Sequence, residues 1–272
     1  MSGAVRKTAA TFGIAVLSLF SLIPFYIMVI MGTYRNEDLF TRIVLVPGTY
    51  LLENLKTVAA SRFDLLYLNS LIVSLASTAL SVFVSACAGF AFAKHEFKYK
   101  NRIFAFVLLT MMIPGQLGIV AYVIEMRQLE LTGTLLPLIL PWVANAFGVY
   151  WMTQYIRSAV PTEVLESARI DGCSEAGLFF RMVFPFIYPA VTTLSLLVFL
   201  WSWNNYLLPL IIVNKPELYT IPLGITSLGN AYRTDLAAQV LGLTLGTLPV
   251  LILFAVGSKS FIRGLTAGSV KG

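Results

Sequence analysis

The sequence predicts an all-α membrane protein, a polytopic bundle of about six transmembrane helices. Three observations support this fold class. Only 12% of the 272 residues are charged, whereas soluble domains average about 25%. Hydrophobic residues make up 58% of the chain, and the mean hydropathy is +0.82. The length also fits about six spans of about 20 residues each, together with their loops, in a single domain of residues 1–272.

Six apolar segments can each be drawn with a central stretch that lacks Asp, Glu, Lys and Arg. The bilayer core offers no partners to free backbone groups, so these segments must be helices. The first segment is longer than the core of a signal peptide, about 7–15 residues, and is therefore interpreted as a retained span. The predicted spans cover about 8–31, 67–93, 104–124, 134–156, 183–213 and 236–262.

The distribution of Lys and Arg predicts the orientation, because cytoplasmic loops near span ends carry an excess of positive charge. With a cytoplasmic N-terminus, 12 of the 19 basic residues lie inside and 8 of the 13 acidic residues lie outside. Both termini are then cytoplasmic. The net charge of +6 is explained by this bias, and no nucleic-acid partner is expected.

The spans lack the buried carboxylates and histidines that usually bind the driving ion in transporters and pumps. The chain also lacks a GxxxxGK[ST] phosphate loop, a nucleophile–base pair and a metal-ligand cluster. The two cysteines, Cys87 and Cys173, should lie at different depths, so no disulfide is expected. The lone His95 lies in a basic loop and is expected to be solvated. We therefore expect a non-catalytic chain without cofactor or metal, which receives energy from a partner.

An acidic island, PTEVLESARIDGCSEAGLFFRMVFP, interrupts the apolar segments from Pro161 to Pro185 and is cytoplasmic in this topology. Pro161 suits the first position of a helix, and Leu165 and Ala168 give that helix an apolar strip. Gly172 offers a left-handed residue that can end it. A second short helix then leads into the fifth span. Two interpretations remain open from these residues alone: an elbow (residues 161–182) that binds a partner, and a loop resting on lipid headgroups.

Two further patterns carry polar groups into the spans. Five serines of the second span share one helix face, which predicts a packing seam or, alternatively, a polar lining of a solute path. In the fifth span, aromatic rings suited to sugar C–H faces accompany amides suited to hydroxyls. The candidates for a solute path are Trp201, Asn204, Asn205 and Tyr206. If this segment is helical, Trp201 and Asn205 share one face and Tyr206 lies on another. Interfacial anchoring and helix–helix bonding are the alternatives.

The elbow resembles the EAA motif of permease subunits of binding-protein-dependent ABC importers, which is EAA, three residues, Gly, nine residues, then I-x-L-P. At the matching spacing stand Glu166, Ala168, Gly172 and Pro185. Ser167, Met182 and Phe184 depart from the motif, but each is small or apolar. The triplet Ile170-Asp171-Gly172 resembles the carbohydrate branch of the family. The C-terminal GLTAGSVKG, residues 264–272, resembles the end of maltose-type permeases of the MalG-like kind.

The resemblance implies an ABC type I importer permease in a bacterial inner membrane. Its expected partners are a second, MalF-like permease, two copies of a cytosolic ATPase that binds ATP and Mg, an extracytoplasmic solute-binding protein, and membrane lipid. The elbow would dock into the ATPase as a coupling helix, through the motif residues and Asp171. The tail, with Gly268 and Lys271, would reach the ATPase interface; a frayed end is the alternative.

The predicted function is therefore that of a permease subunit of an ATP-driven sugar importer, which forms half of the translocation path. Two alternatives remain. An importer of the same kind could carry another polar solute, such as glycerol phosphate esters, although the spans show no basic residues for a phosphate. A stand-alone facilitator or channel would need no ATPase, but it would also have no use for an ATPase-docking elbow.

Overall fold

The computed structural model describes residues 3–41, 44–230 and 233–267, with side chains over 7–41, 44–228 and 235–258. The regular secondary structure of the described residues is helical, apart from one antiparallel pair of two-residue strands, β1 (Gly229–Asn230) and β2 (Arg233–Thr234). The predicted all-α class is confirmed. The chain forms two compact units, one of Met1–Asp64 with Leu223–Leu248 and one of Leu65–Pro222 with Pro249–Gly272.

Thirteen α-helices follow one another along the described residues. They are α1 (Gly3–Met31), α2 (Leu51–Ala60), α3 (Phe63–Lys94), α4 (Lys100–Thr110), α5 (Ile119–Gln128), α6 (Leu136–Val143), α7 (Ala146–Ala159), α8 (Thr162–Ile170), α9 (Glu175–Gly177), α10 (Phe184–Trp203), α11 (Leu207–Ile212), α12 (Ile221–Thr226) and α13 (Leu236–Ala267). Short 3₁₀ turns cover Asp38–Phe40, Gly115–Gly118 and Pro216–Leu218, and a π-helical segment covers Leu178–Val183.

Within the described residues, five helical runs are long and apolar enough to cross a membrane. They are Lys7–Met31, Phe63–Lys94, Leu136–Ala159, Glu175–Trp203 and Leu236–Ser258. A sixth candidate is the pair Lys100–Thr110 and Gly115–Gln128, which is bent by 87°. With this pair counted as one span, the structure agrees with the prediction of about six spans.

The predicted span 104–124 is not one straight helix. The first helix of the bent pair ends at Thr110, and Pro114 is extended, with ψ of 121°. Proline lacks the N–H of a helix ladder and disfavours a helical conformation in the residue before it. The break therefore lies where the sequence places Pro114 and Gly115.

The core of the second unit includes a close contact between α3 and α7. The five serines of α3 are buried, namely Ser70, Ser74, Ser77, Ser81 and Ser85. A side chain at Gly148 of α7 would collide with Ser85 Oγ, and a Cβ at Gly89 of α3 would lie 2.6 Å from Met152 Cβ. Small residues on both helices thus allow close approach, which favours the packing seam over a solute lining.

Candidate functional site

The elbow begins directly after α7. Val160 and Pro161 are extended, with ψ of 111° and 138°, and α8 starts at Thr162. Pro161 is therefore the N-cap of α8, one position earlier than its predicted place inside the helix. Its fixed φ of −65° is compatible with either position, but the extended ψ directs the chain away from α7.

The helix α8 ends in a Schellman turn. Gly172 has φ of +78°, and its N–H donates to Arg169 O at 3.0 Å. The N–H of Cys173 donates to Ala168 O, also at 3.0 Å. These bonds satisfy two carbonyls at the helix end, and glycine adopts the left-handed conformation without a Cβ clash. The helix end predicted at Gly172 is confirmed.

The two faces of α8 have opposite environments. Leu165 and Ala168 are buried, with exposed fractions of 1% and 4%, in a core that includes residues of α7 and α10. Glu163, Glu166 and Ile170 lie on neighbouring turns of the opposite face, and Ile170 is 86% exposed. Among the described residues, no ion pair or hydrogen bond engages either carboxylate. This face is therefore free to meet a partner.

The turn of the elbow is closed by ionic contacts around Glu175. Arg169 Nε donates to Glu175 Oε1 at 3.0 Å, and Arg169 Nη2 donates to Oε2 at 3.4 Å. The hydrogen bond from Arg169 and the positive charge of Arg169 lower the pKa of the Glu175 carboxyl. Glu175 lies before the apolar part of its helical run. Ser174 is the N-cap of the second helix, which begins at Glu175, and its Oγ accepts the N–H of Gly177 at 3.2 Å.

His95 lies in the loop after α3, as predicted, but it is only partly exposed to solvent and makes contacts that the sequence does not predict. Its Nε2 lies 3.5 Å from Glu175 Oε2, and its ring packs edge-on against Phe90 at 4.9 Å between centroids. The sequence gives no signal for this contact, because 80 positions separate the two residues.

The elbow continues into α10 through the π-helical segment Leu178–Val183. The N–H of Phe184 donates to Phe179 O, five residues earlier. Pro185 follows in the first turn of α10, where its missing N–H is tolerated. Beside the turn lies an open depression of about 480 Å³ whose lining includes Gly172 and the 56%-exposed Phe180. Of the matching motif residues, Glu166, Ala168 and Gly172 thus lie in the elbow, and Pro185 lies just after it. Ala168 is buried and the other three are exposed.

The structure changes the interpretation of residues 201–206. The helix α10 ends at Trp203, so Asn204 and Asn205 lie beyond it and share no helix face with Trp201. Asn204 Nδ2 donates to Leu200 O at 2.8 Å, and Asn205 Oδ1 accepts the N–H of Leu208 at 3.4 Å.

Each amide thus uses one polar atom at a helix end, and its other polar atom forms no hydrogen bond among the described residues. Trp201 and Tyr206 are 39% and 38% exposed. Their contribution to a solute path, together with that of Asn204 and Asn205, stays a prediction. Gly268 and Lys271 of the predicted tail contact lie outside the described residues.

Comparisons with known proteins identify the family. Residues 82–267 match the family described as "Binding-protein-dependent transport system inner membrane component". The arabinooligosaccharides transport system permease protein AraQ of Bacillus subtilis (strain 168) is 33% identical over 274 residues, covering 98% of this chain and 97% of that protein. The lactose transport system permease protein LacG of Rhizobium radiobacter is 33% identical, covering 92% and 91%.

The crystal structure of a bacterial ABC transporter involved in the import of the acidic polysaccharide alginate contains a chain with the same fold. The TM-score is 0.77 at 20% identity, over 96% of this chain and 99% of that chain. The chain therefore belongs to the binding-protein-dependent transport system inner membrane components and is a multi-pass membrane protein.

Proposed function

We propose that this chain is a permease subunit of an ATP-driven importer of oligosaccharide-type sugars and forms half of its translocation path. The observation that carries the proposal is the likeness to two permeases named for arabinooligosaccharides and lactose, over more than 90% of this chain. The spans fit this role, because their central stretches lack the carboxylates and histidines that usually couple transport to an ion. Glycerol phosphate esters are not favoured as cargo.

The elbow is the proposed coupling helix, docked into a cytosolic ATPase that hydrolyses ATP. Its exposed face offers two free carboxylates, Glu163 and Glu166, beside the apolar Ile170. This combination fits a cleft with basic groups at its rim and an apolar floor. Asp171 and Gly172 shape the turn beside this face. Docking on the cytoplasmic side also agrees with the orientation predicted from Lys and Arg, with both termini in the cytoplasm.

The complete importer would contain this chain, a second permease, two ATPase copies and an extracytoplasmic binding protein. Each ATPase would receive one elbow, and the tail with Gly268 and Lys271 would add to the ATPase interface. Trp201 and Tyr206, and the free amide atoms of Asn204 and Asn205, would offer transient contacts to a sugar.

Reconstitution in proteoliposomes tests this function. The chain is co-purified with the permease, ATPase and binding protein encoded beside it, and uptake of labelled arabino- and malto-oligosaccharides is measured. We expect uptake only with ATP on the ATPase side and binding protein on the other. Sugar uptake by the chain alone would favour a facilitator, and ATP-driven uptake of glycerol phosphate esters without sugar uptake would identify the alternative cargo.

A further inference from the structure

Lys94, the last residue of α3, forms hydrogen bonds to the residues at the start of the elbow. Lys94 Nζ donates to Val160 O at 2.6 Å and to Thr162 Oγ1 at 3.2 Å. Val160 is the last residue before the elbow, and Thr162 is the first residue of α8. Hydrogen bonds from an ammonium group are stronger than those between neutral groups, and Lys94 is partly buried. The contact therefore ties the end of α3 to the start of α8.

The next residue, His95, contacts the turn of the elbow. Its imidazole contacts the carboxylate of Glu175, which begins the second helix and also binds Arg169 across the turn. The ring rests on Phe90 of α3, and Phe90 in turn lies 5.8 Å from Phe179, centroid to centroid. Lys94 and the residue after it thus contact the start of α8 and the residue that begins the second helix of the elbow.

The other end of α3 is attached to a second polar region. Asn69 Nδ2 donates to the carbonyl oxygens of Glu217 and Tyr219 at 2.8 and 3.0 Å. Ser70 Oγ accepts the N–H of Ile221 at 2.8 Å. The helix contains no proline between these contacts and Lys94, and it spans about 38 Å between them. A helix without a break can move as one rigid element, so that a displacement of one end is carried to the other.

We propose that Lys94 and His95 are positioning residues that latch the elbow to α3. Through this latch, a displacement of the elbow moves α3 and the segment 217–221 attached to its far end. The inference rests on the proposed function, because the displacement would come from the docked ATPase. The contacts that transmit this displacement belong to two side chains outside the elbow, Lys94 and His95.

The first test measures sugar molecules moved per ATP hydrolysed in the reconstituted complex. Lys94→Met keeps the length of the side chain but removes its charge and its donors. We expect this ratio to fall about fivefold while the ATPase stays bound and active, and Lys94→Arg to restore most of it.

His95→Phe keeps the packing on Phe90 but loses the contact with Glu175, so we expect a smaller fall in the same ratio. Lys98→Met is the matched control, because Lys98 is exposed in the same loop. Among the described residues its ammonium group makes no ion pair or hydrogen bond and lies 4.9 Å from the centre of the Tyr99 ring.

The second test does not depend on transport. Hydrogen exchange of the amides of residues 162–172 is compared in purified wild-type and variant chains. We expect faster exchange in Lys94→Met and His95→Phe, and wild-type exchange in Lys98→Met. If Lys94→Met fails to accumulate in the membrane, the exchange measured in His95→Phe tests the latch by itself.

An unchanged transport ratio and unchanged exchange in both latch variants would overturn the latch. An equal loss in Lys98→Met would do the same, because loop charge alone would then explain the effect. Absence of ATP-driven sugar uptake by the wild-type complex would contradict the proposed function instead, and the exchange measurement would still decide the latch.

Discussion

The elbow and the α3–α7 contact both depend on glycine, but for opposite reasons. At Gly172 the backbone is left-handed, with φ of +78°, and no atom lies within 4 Å of where a Cβ would be. At Gly148 the backbone has no positive φ, but a Cβ would collide with Ser85 Oγ. Local conformation therefore requires the first glycine, and contact with another helix requires the second.

The polar groups of the two regions differ in the same way. The carboxylates of Glu163 and Glu166 face outward from the elbow. The hydroxyls of Ser74, Ser77 and Ser85 are buried in α3 and have no hydrogen-bond partner among the described residues. The comparison indicates that changes in the packing contact act on stability, whereas changes in the elbow act on coupling.

The largest effect is expected for Gly148→Leu, which breaks the packing contact. Overpacking of this kind usually costs about 1–3 kcal/mol or more, and here the side chain would meet Ser85 and Leu194. We expect a clear drop in membrane yield and in melting temperature in detergent. Gly118→Leu is the control, since Gly118 has φ of −88° and open space around its Cβ position. Equal melting of both variants and the wild type would contradict the packing interpretation.

The next effect is expected for Gly172→Val, which breaks the turn of the elbow. A left-handed backbone costs a residue with a Cβ about 1–2 kcal/mol, and a β-branched residue at least as much. We expect normal membrane yield but reduced ATPase co-purification and sugar uptake.

Gly172→Asn provides the control, because Asn tolerates the left-handed region better than other residues with a Cβ. If Val and Asn at this position had the same effect, backbone conformation would not be the cause.

A smaller effect is expected for Glu166→Lys, because this substitution changes the exposed face of α8 and not the fold. Reversal of one charge at the rim of an interface should weaken ATPase binding about tenfold, or about 1.4 kcal/mol. Co-purification at rising salt measures this change. Glu217→Lys, an exposed charge reversal away from the elbow, should leave ATPase binding at the wild-type level. Wild-type ATPase binding by Glu166→Lys would contradict docking through this face.

The smallest effect is expected when the pH is lowered and Glu175 becomes protonated. The contact with Arg169 lowers the pKa of Glu175 from its ordinary value of 4.5. Its contribution to stability is therefore fully present above pH 4.5 and is lost as the pH falls through the lower, folded-state pKa. The Arg169–Glu175 pair is partly exposed, so its contribution to stability is modest.

Amide exchange at Gly172 and Cys173 measures this contribution. At low pH, exchange in the wild type should rise relative to exchange in Glu175→Gln, in which this titration is absent. If amide exchange of the wild type and of Glu175→Gln had the same pH dependence, this contribution of Glu175 to stability would be contradicted.

Much of the elbow could be predicted from the sequence because its signals are local. The spacing of Leu165 and Ala168 predicts the buried strip of α8, and Gly172 marks the helix end that the backbone shows. The break after Trp203 was missed, because the segment 183–213 is apolar on both sides of Asn204 and Asn205. Neither amide carries a strong breaking signal, and only their hydrogen bonds to Leu200 and Leu208 reveal the helix ends.

Composition and short-range spacing predict the membrane class, about six spans, the position of the elbow and the family resemblance, because both are properties of the linear chain. The contacts of Lys94 with Val160, 66 positions later, and of His95 with Glu175 appear only in the folded structure. Such contacts depend on how the helices pack, and side-chain identity alone does not show which distant backbone groups a cation will meet.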